Sequence, residues 1–220
     1  MNIAIDGPSG AGKSSLAKAV AKTLGIVYVD TGALYRTIGL YIKRHGIDPK
    51  NANAVTAALP DITLSLEFRD GAQHILLCGE DVGDSIRTPE MSMYASDVSA
   101  IPTVREFLLE TQRRVARECS VIMDGRDIGT VILPNADCKI FLTASPEARA
   151  RRRTAEMREK GIEVTYEETL ADMTRRDTND STRKIAPAIP AEDAITLDNS
   201  DMSPEETLAA ALAIIAKATR

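Results

Sequence analysis

The run MNIAIDGPSGAGKS opens the chain and ends in Gly7-x-x-x-x-Gly12-Lys13-Ser14. Glycines at this spacing leave room for backbone N–H groups to face phosphate oxygens, and a helix N-terminus behind them favours negative charge. The pattern is that of the phosphate-cradling loop of P-loop nucleotide-binding proteins. Gly7, Pro8, Ser9, Gly10, Ala11 and Gly12 would form the cradle, with Ser15 following in the helix. Lys13 is expected to reach the outer phosphates of ATP, and the Ser14 hydroxyl to hold the Mg²⁺ that bridges them. A strand-like Ile3-Ala4-Ile5 before the loop and a helical run from Ser14 to Ala21 after it supply the context the motif requires.

Further charged groupings fall where an α/β sheet gathers its ligands. Asp30-Thr31-Gly32-Ala33-Leu34-Tyr35-Arg36 follows the second apolar run, at a strand C-terminal end. Arg36 there either meets a second anion facing the loop or is a surface arginine on an ordinary helix. Ser120-Val121-Ile122-Met123-Asp124 is an apolar strand ending in a carboxylate. P-loop enzymes commonly hold Mg²⁺ through water from that position, although an Asp capping the next turn has the same signature. Arg126 and Asp127 follow, flanked by Gly125 and Gly129, an arrangement suited to a polar pocket.

Arg149, Arg151, Arg152, Arg153, Arg158 and Lys160 crowd one helical stretch before Gly161. A charge run usually marks a solvated face. This one follows a core strand, where P-loop kinases carry a mobile lid, so phosphate clamping is favoured for some of these side chains. Arg175, Arg176, Asp177, Asp180 and Arg183 form the last cluster, readable as a solvated helix end or as a site for ribose hydroxyls and a phosphate.

The elements that must position these groups alternate between strand and helix, which predicts α/β architecture with a parallel sheet covered on both faces. Core strands are expected at 2–6, 26–30, 121–124, 138–143 and 194–198, apolar runs suited to burial from both sides. Gly25 and Gly46 are placed to end the first two helices. Ser145-Pro146 and Ser203-Pro204 pair a cap with a proline at the first helical position, and Thr165-x-x-Glu168 and Ser203-x-x-Glu206 have capping-box spacing. One stretch breaks the alternation. Residues 62–68 alternate with period two, Asp70-Gly71 offers a hairpin turn, and 74–78 reads as the returning strand, a small antiparallel insert.

At 220 residues the chain suits one α/β domain with small appendages. A net charge of −5 is not that of a protein built to coat nucleic acid or anionic membrane, so phosphate binding must come from a local basic pocket. Cys78, Cys119 and Cys138 are an odd, widely spaced set, which argues against a disulfide framework and for a reducing cytoplasm. His45 and His74 lack ligand-like spacing, and no apolar run approaches transmembrane length.

Taken together, IDGPSGAGKS, DTGALYR, GEDV followed by IRTPE, ASDVSAIPTVRE, DGRDIGTV, RRRxxE with EKG, and RRDxxDSTR with APA make the chain resemble bacterial cytidylate kinases, a branch of the nucleoside monophosphate kinases. The resemblance runs through essentially the whole chain. It implies one P-loop kinase domain over 1–220 with a five-stranded parallel sheet, flanking helices, a monophosphate-binding region over 31–105 carrying the antiparallel insert near 60–87, and a helical lid over 149–165. It implies transfer of the γ-phosphoryl group of ATP to CMP or dCMP with Mg²⁺, by a cytoplasmic monomer that binds neither nucleic acid polymers nor membranes. Ser96, Arg105 and Asp127 match the family's cytosine contacts; Arg36, Arg126 and Arg183 match those to the acceptor phosphate; Arg176 and Asp180 match those to the sugar. Thr31 stands where many relatives have Ser, and keeps the hydroxyl. Lys13, Arg126, Arg152, Arg153 and Arg183 would surround the transferring group, Arg149 would join the ATP contacts, and Ser14 with Asp124 would hold the metal. The competing readings are a P-loop kinase for another small acceptor such as UMP, and a non-catalytic nucleotide-binding switch. A guanine-specific NKxD stretch is absent.

Overall fold

The computed structural model describes residues 1–69, 72–159 and 161–219. The turn expected at Asp70-Gly71 and the lid residue Lys160 lie outside them. In chain order the elements are β1 (Asn2–Asp6), α1 (Lys13–Leu24), β2 (Val27–Asp30), α2 (Thr31–Arg44), α3 (Ala52–Ala58), β3 (Leu64–Arg69), β4 (Ala72–Leu77), β5 (Glu80–Asp81), α4 (Pro89–Ser99) and α5 (Pro102–Glu118). Then come β6 (Val121–Asp124), a π-helical turn (Ile128–Ile132), β7 (Cys138–Thr143), α6 (Pro146–Glu159), α7 (Tyr166–Thr182), β8 (Ile195–Asp198) and α8 (Pro204–Ala218). A five-stranded parallel sheet has the order β2-β6-β1-β7-β8, and β3-β4-β5 form a separate antiparallel sheet. The chain divides into two compact units, one of residues 1–26 with 121–220 and the other of residues 27–120.

In the first unit β1 is central. Ile3 pairs with Ile122 on one side and with Cys138 on the other, both parallel. Ile3, Ile5, Ile122, Met123, Ile140 and Leu142 are sealed from solvent, as strands covered on both faces require. Parallel pairing sends Asp6, Asp124, Thr143 and Asp198 to the same sheet edge. β8 departs from the expected two-sided burial. It is an edge strand, where Leu197 alone is buried and Ile195 stays 44% exposed. Three helices of this unit, α6, α7 and α8, begin at side-chain caps. Thr165 and Ser203 each accept from the N–H of the glutamate three residues on, and that glutamate returns a bond to the cap N–H. Each such cap is worth about 1 kcal/mol. Ser145 Oγ likewise accepts from Ala148 N at 3.2 Å.

The second unit is built on its own apolar cluster, in which Leu34, Ile38 and Ile42 of α2 meet Val55, Ile75, Ile86, Met91, Val98, Val104 and Leu108. The apolar residues of α2 recur at helical spacing and turn one face to this cluster. The hairpin of the insert runs from 64 to 77, two residues later at its start than the alternation suggested. It also carries a third strand, β5, which pairs with Leu76 and Leu77. The cause is a tight reversal at Cys78 and Gly79, both with positive φ, just after a bond from Cys78 N to Thr63 O at 2.7 Å that closes the β3–β4 ladder.

Candidate active site

Contacts from α6, α7 and the end of β8 meet at the loop between β1 and α1. Gly7 enters it with φ 144°, and a Cβ there would fall 1.9 Å from the Leu142 carbonyl oxygen, so no other residue fits this approach. Gly12 has a left-handed φ of 89° at the N-cap of α1, where the first helical N–H groups are left for an anion. Lys13, the first residue of α1, is 6% exposed and its Nζ donates to Pro8 O at 2.7 Å. Burial, aided by the positive charge of Arg126, pulls its ammonium down to about 7, against the opposing pull of Asp124, Asp6 and Asp177. Ser14 Oγ donates to Asp124 Oδ2 at 2.7 Å, so the two residues expected to hold a metal lie side by side.

Three side chains, Asp177, Arg149 and Asn199, strap the loop through its backbone. Asp177 of α7 accepts the Ser9 N–H at 2.9 Å on one oxygen and pairs with Arg149 of α6 on the other. Arg149 also donates to Ser9 O at 2.7 Å and to Ala144 O at 2.9 Å. Arg149, expected as an ATP contact, is therefore buried and engaged with the loop's own backbone. Asn199, just past β8, donates to Ala11 O at 3.1 Å and accepts from Arg152, which also binds the carbonyls of Asn199 and Ser200. Arg153 pairs with Glu156 one turn on at 2.9 Å. The sequence reading assigned no role to Asp177 or Asn199. Asp177 lay within the RRDxxDSTR cluster; nothing local to Asn199 marked it.

A second cluster lies on the same unit. Arg126 Nε donates to Asp180 Oδ2 at 2.9 Å, and Arg183 approaches both Asp127 and Asp180 at 3.8 and 4.0 Å. Arg176, one turn before Asp180 on α7, keeps a buried Nε with no hydrogen-bond partner among the described residues. Burial and the neighbouring Arg126 charge push its guanidinium below its ordinary range. Arg126, Asp127, Arg176, Asp180 and Arg183 are thus brought together, with more donors than their own carboxylates use. That surplus is what an incoming phosphate and hydroxyl-rich sugar would meet.

The remaining predicted residues belong to the second unit. Thr31 starts α2 and is buried, while Asp30 caps the same helix by accepting from Ala33 N at 2.9 Å and pairs with Arg36 at 2.8 Å. Arg36 is therefore held at the helix start, with its Nε buried and without a hydrogen-bond partner among the described residues. Arg105 is 9% exposed, donates to Ser99 O at 3.2 Å and stacks its guanidinium over Tyr35 at 5.5 Å. Ser96 sits half-buried on α4, its carbonyl accepting from Ser99 Oγ. His45 and His74 pair with Tyr41 O and Asp81, and among the described residues no group of three or more His, Cys, Asp or Glu is gathered to hold a metal by itself. Among the same residues no helix is long and apolar enough to cross a membrane.

Comparison with known proteins decides which P-loop lineage this is. The family model for cytidylate kinase matches residues 3–217. The chain belongs to the cytidylate kinase family. Among relatives in the family, the cytidylate kinase of Caldicellulosiruptor bescii is 48% identical over 220 residues, covering all of this chain and 97% of that one. The cytidylate kinase of Geobacter sulfurreducens is 47% identical over 206 residues, 94% of this chain and 88% of its own. Solved structures show how widely the family's fold is shared. A gluconokinase from Sinorhizobium meliloti aligns over 98% of this chain and 91% of its own with a TM-score of 0.50 at 16% identity. A protein of Eubacterium ventriosum aligns over 99% of this chain and 98% of its own with a TM-score of 0.54 at 14% identity.

Proposed function

We propose that the chain transfers the γ-phosphoryl group of ATP to CMP or dCMP, giving ADP and CDP or dCDP. The observation that carries this reading is the joint presence, in one unit of a cytidylate kinase family member, of the phosphate loop with Lys13 and of the Arg126–Asp180–Arg183 cluster with the partly unsatisfied Arg176. One cluster suits a triphosphate donor and the other a phosphorylated acceptor.

An ionised oxygen of the acceptor's phosphate attacks the γ-phosphorus, and the bond from that phosphorus to the β,γ-bridging oxygen breaks. ADP leaves with the bonding electrons and no covalent enzyme intermediate forms. Catalysis is alignment plus cancellation of charge on the transferring group. Lys13 holds the outer phosphates, while Arg126 and Arg183 bind the acceptor phosphate, joined by Arg36. Arg176 and Asp180 hold the sugar. Arg152 and Arg153 are assigned to the transferring group and α6 to the lid over 149–165; both exchange their present partners when nucleotide binds. Closure of a lid excludes water and suppresses idle ATP hydrolysis. The Ser14 hydroxyl and Asp124 carboxylate form an all-oxygen donor pair of the kind that Mg²⁺ takes alongside phosphate oxygens. Bound there, the ion supplies neutralisation of phosphate charge.

Selectivity follows from hydrogen-bond pattern. Cytosine offers an N4 amino donor beside N3 and O2 acceptors; a carboxylate at Asp127 and donors at Arg105 and Ser96 complement that set. Uracil reverses the first two groups and leaves buried partners unpaired, which can discriminate by orders of magnitude. The monophosphate-binding region over 31–105, a monomeric state and a cytoplasmic location are part of the same proposal. The test is ADP release from Mg·ATP with CMP, dCMP, UMP, AMP and no acceptor, side by side. Turnover confined to CMP and dCMP is expected; acceptor-independent hydrolysis, or indifference to CMP, would overturn the reading.

A further inference from the structure

Asp6 closes β1, immediately before the phosphate loop, and is 4% exposed. Its two oxygens do not face the loop. One accepts the Ile128 N–H and the other the Gly129 N–H, each at 2.7 Å. These amides open the π-helical turn Ile128–Ile132, whose first bonds return from Val131 N and Ile132 N to Asp127 O. The leading N–H groups of any helical turn have no partner within it, and a buried one left unbonded costs about 1–3 kcal/mol. Asp6 satisfies two at once, across 122 residues of sequence.

The start of the turn is packed between Asp6 and the Lys139 side chain. A Cβ on Gly129 would stand 3.4 Å from Asp6 Oδ2 and 3.1 Å from Lys139 Cδ. Burial raises the Asp6 carboxyl to about 6, and the two N–H bonds oppose that rise. A neutral amide of equal size at this position would accept from one N–H only and confront the other with its own donor. The turn so anchored starts at the residue after Asp127, and Arg126 precedes it by one more. A shift of the turn therefore moves both side chains.

We propose that Asp6 is a positioning residue for the acceptor nucleotide, setting Arg126 and Asp127 through the backbone of the turn it holds. The inference rests on the reading that gives those two residues to CMP. A residue that merely supports the phosphate loop would affect ATP, since Gly7 is its neighbour; a residue that sets Arg126 and Asp127 affects CMP.

The experiment measures kcat and both KM values, and CMP-over-UMP selectivity, for Asp6→Asn, Gly129→Ala and Asp127→Ala, each checked for folding by circular dichroism. Asp6→Asn is expected to raise KM for CMP about tenfold to a hundredfold and erode selectivity, with KM for ATP within about twofold. Gly129→Ala presses on the Lys139 side chain and so displaces the start of the turn with Asp6 intact, and is expected to give the same split in weaker form. It decides the matter if Asp6→Asn does not fold. Equal rises in both KM values, or no change in either variant, would overturn the role of Asp6. Unaltered selectivity in Asp127→Ala would instead remove Asp127 from the base pocket, and the KM for CMP in the other two variants would still judge Asp6 through Arg126.

Discussion

Ser14 Oγ donates to Asp124 Oδ2 across 2.7 Å, so the first turn of α1 and the end of β6 meet through a hydroxyl and a carboxylate. The hydroxyl proton bridges them here; in the proposed function the same two oxygens would serve a bound Mg²⁺. Asp124→Asn keeps an oxygen that can accept from Ser14 but removes the carboxylate's negative charge. It is expected to raise the Mg²⁺ concentration for half-maximal rate by about 10- to 100-fold. Rate measured against Mg²⁺ at fixed ATP checks this, and an unshifted midpoint would remove Asp124 from the metal's surroundings.

Lys13→Ala should lower kcat by about 10²–10³-fold while leaving the fold intact, because the ammonium is costly to bury and the nearby Asp124, Asp6 and Asp177 each keep another hydrogen-bond partner. A folded variant that keeps its turnover would end the assigned role.

The depressed ammonium of Lys13 gives ATP binding a pH signature. In the ligand-free protein it titrates at about 7. A triphosphate beside it favours the charged form and raises that value. Binding above pH 7 should therefore take up close to one proton, and binding well below pH 7 almost none. Calorimetry at pH 8 in two buffers of different ionisation enthalpy reads the uptake directly. Identical heats in both would show that Lys13 is already charged.

Asp177 pairs with Arg149, whose side chain is 6% exposed, and holds the Ser9 N–H as well. Asp177→Ala leaves a buried guanidinium without its counter-charge, and should cost about 3–5 kcal/mol of stability. Urea denaturation followed by circular dichroism measures it. KM for ATP should rise in the same variant, as the loop loses its rear support; an unchanged midpoint would mean that solvent replaces the carboxylate freely.

Arg105→Met removes the donor stacked on Tyr35 and keeps most of the apolar volume. CMP should lose its advantage over UMP by about 10²-fold, in kcat/KM determined for both acceptors. Retained selectivity would place base recognition elsewhere.

How much of this was legible in the residues depends on how local the cause is. The bounds of β1, β6 and β7 match the apolar runs because a strand buried on both faces has no other way to read. Capping boxes at Thr165 and Ser203 are self-contained, so four residues suffice to see each. β5 escaped because it is two residues long and exists only by pairing with Leu76 and Leu77, after a left-handed Cys78 that no propensity marks. The bonds from Asp6 to residues 128 and 129, and from Asn199 to Ala11, are set by topology, which brings distant strand ends together without leaving a trace near either residue. Arg149 and Arg152 were legible as a basic helix, but not as side chains engaged with backbone carbonyls.

The order of the sheet also dictates a schedule for the growing chain. β1 needs Val121 and its neighbours opposite Asn2 before it has a partner on one side, and Cys138 opposite Ile3 on the other. At about 5–20 residues per second, several seconds of synthesis separate the making of the first strand from the making of either neighbour. Throughout that interval Ile3 and Ile5 must stay uncovered, while the intervening residues 27–120 already contain a complete apolar cluster of their own. The nucleotide loop is thus made well before either strand that flanks β1, and is among the last parts of its unit to take shape.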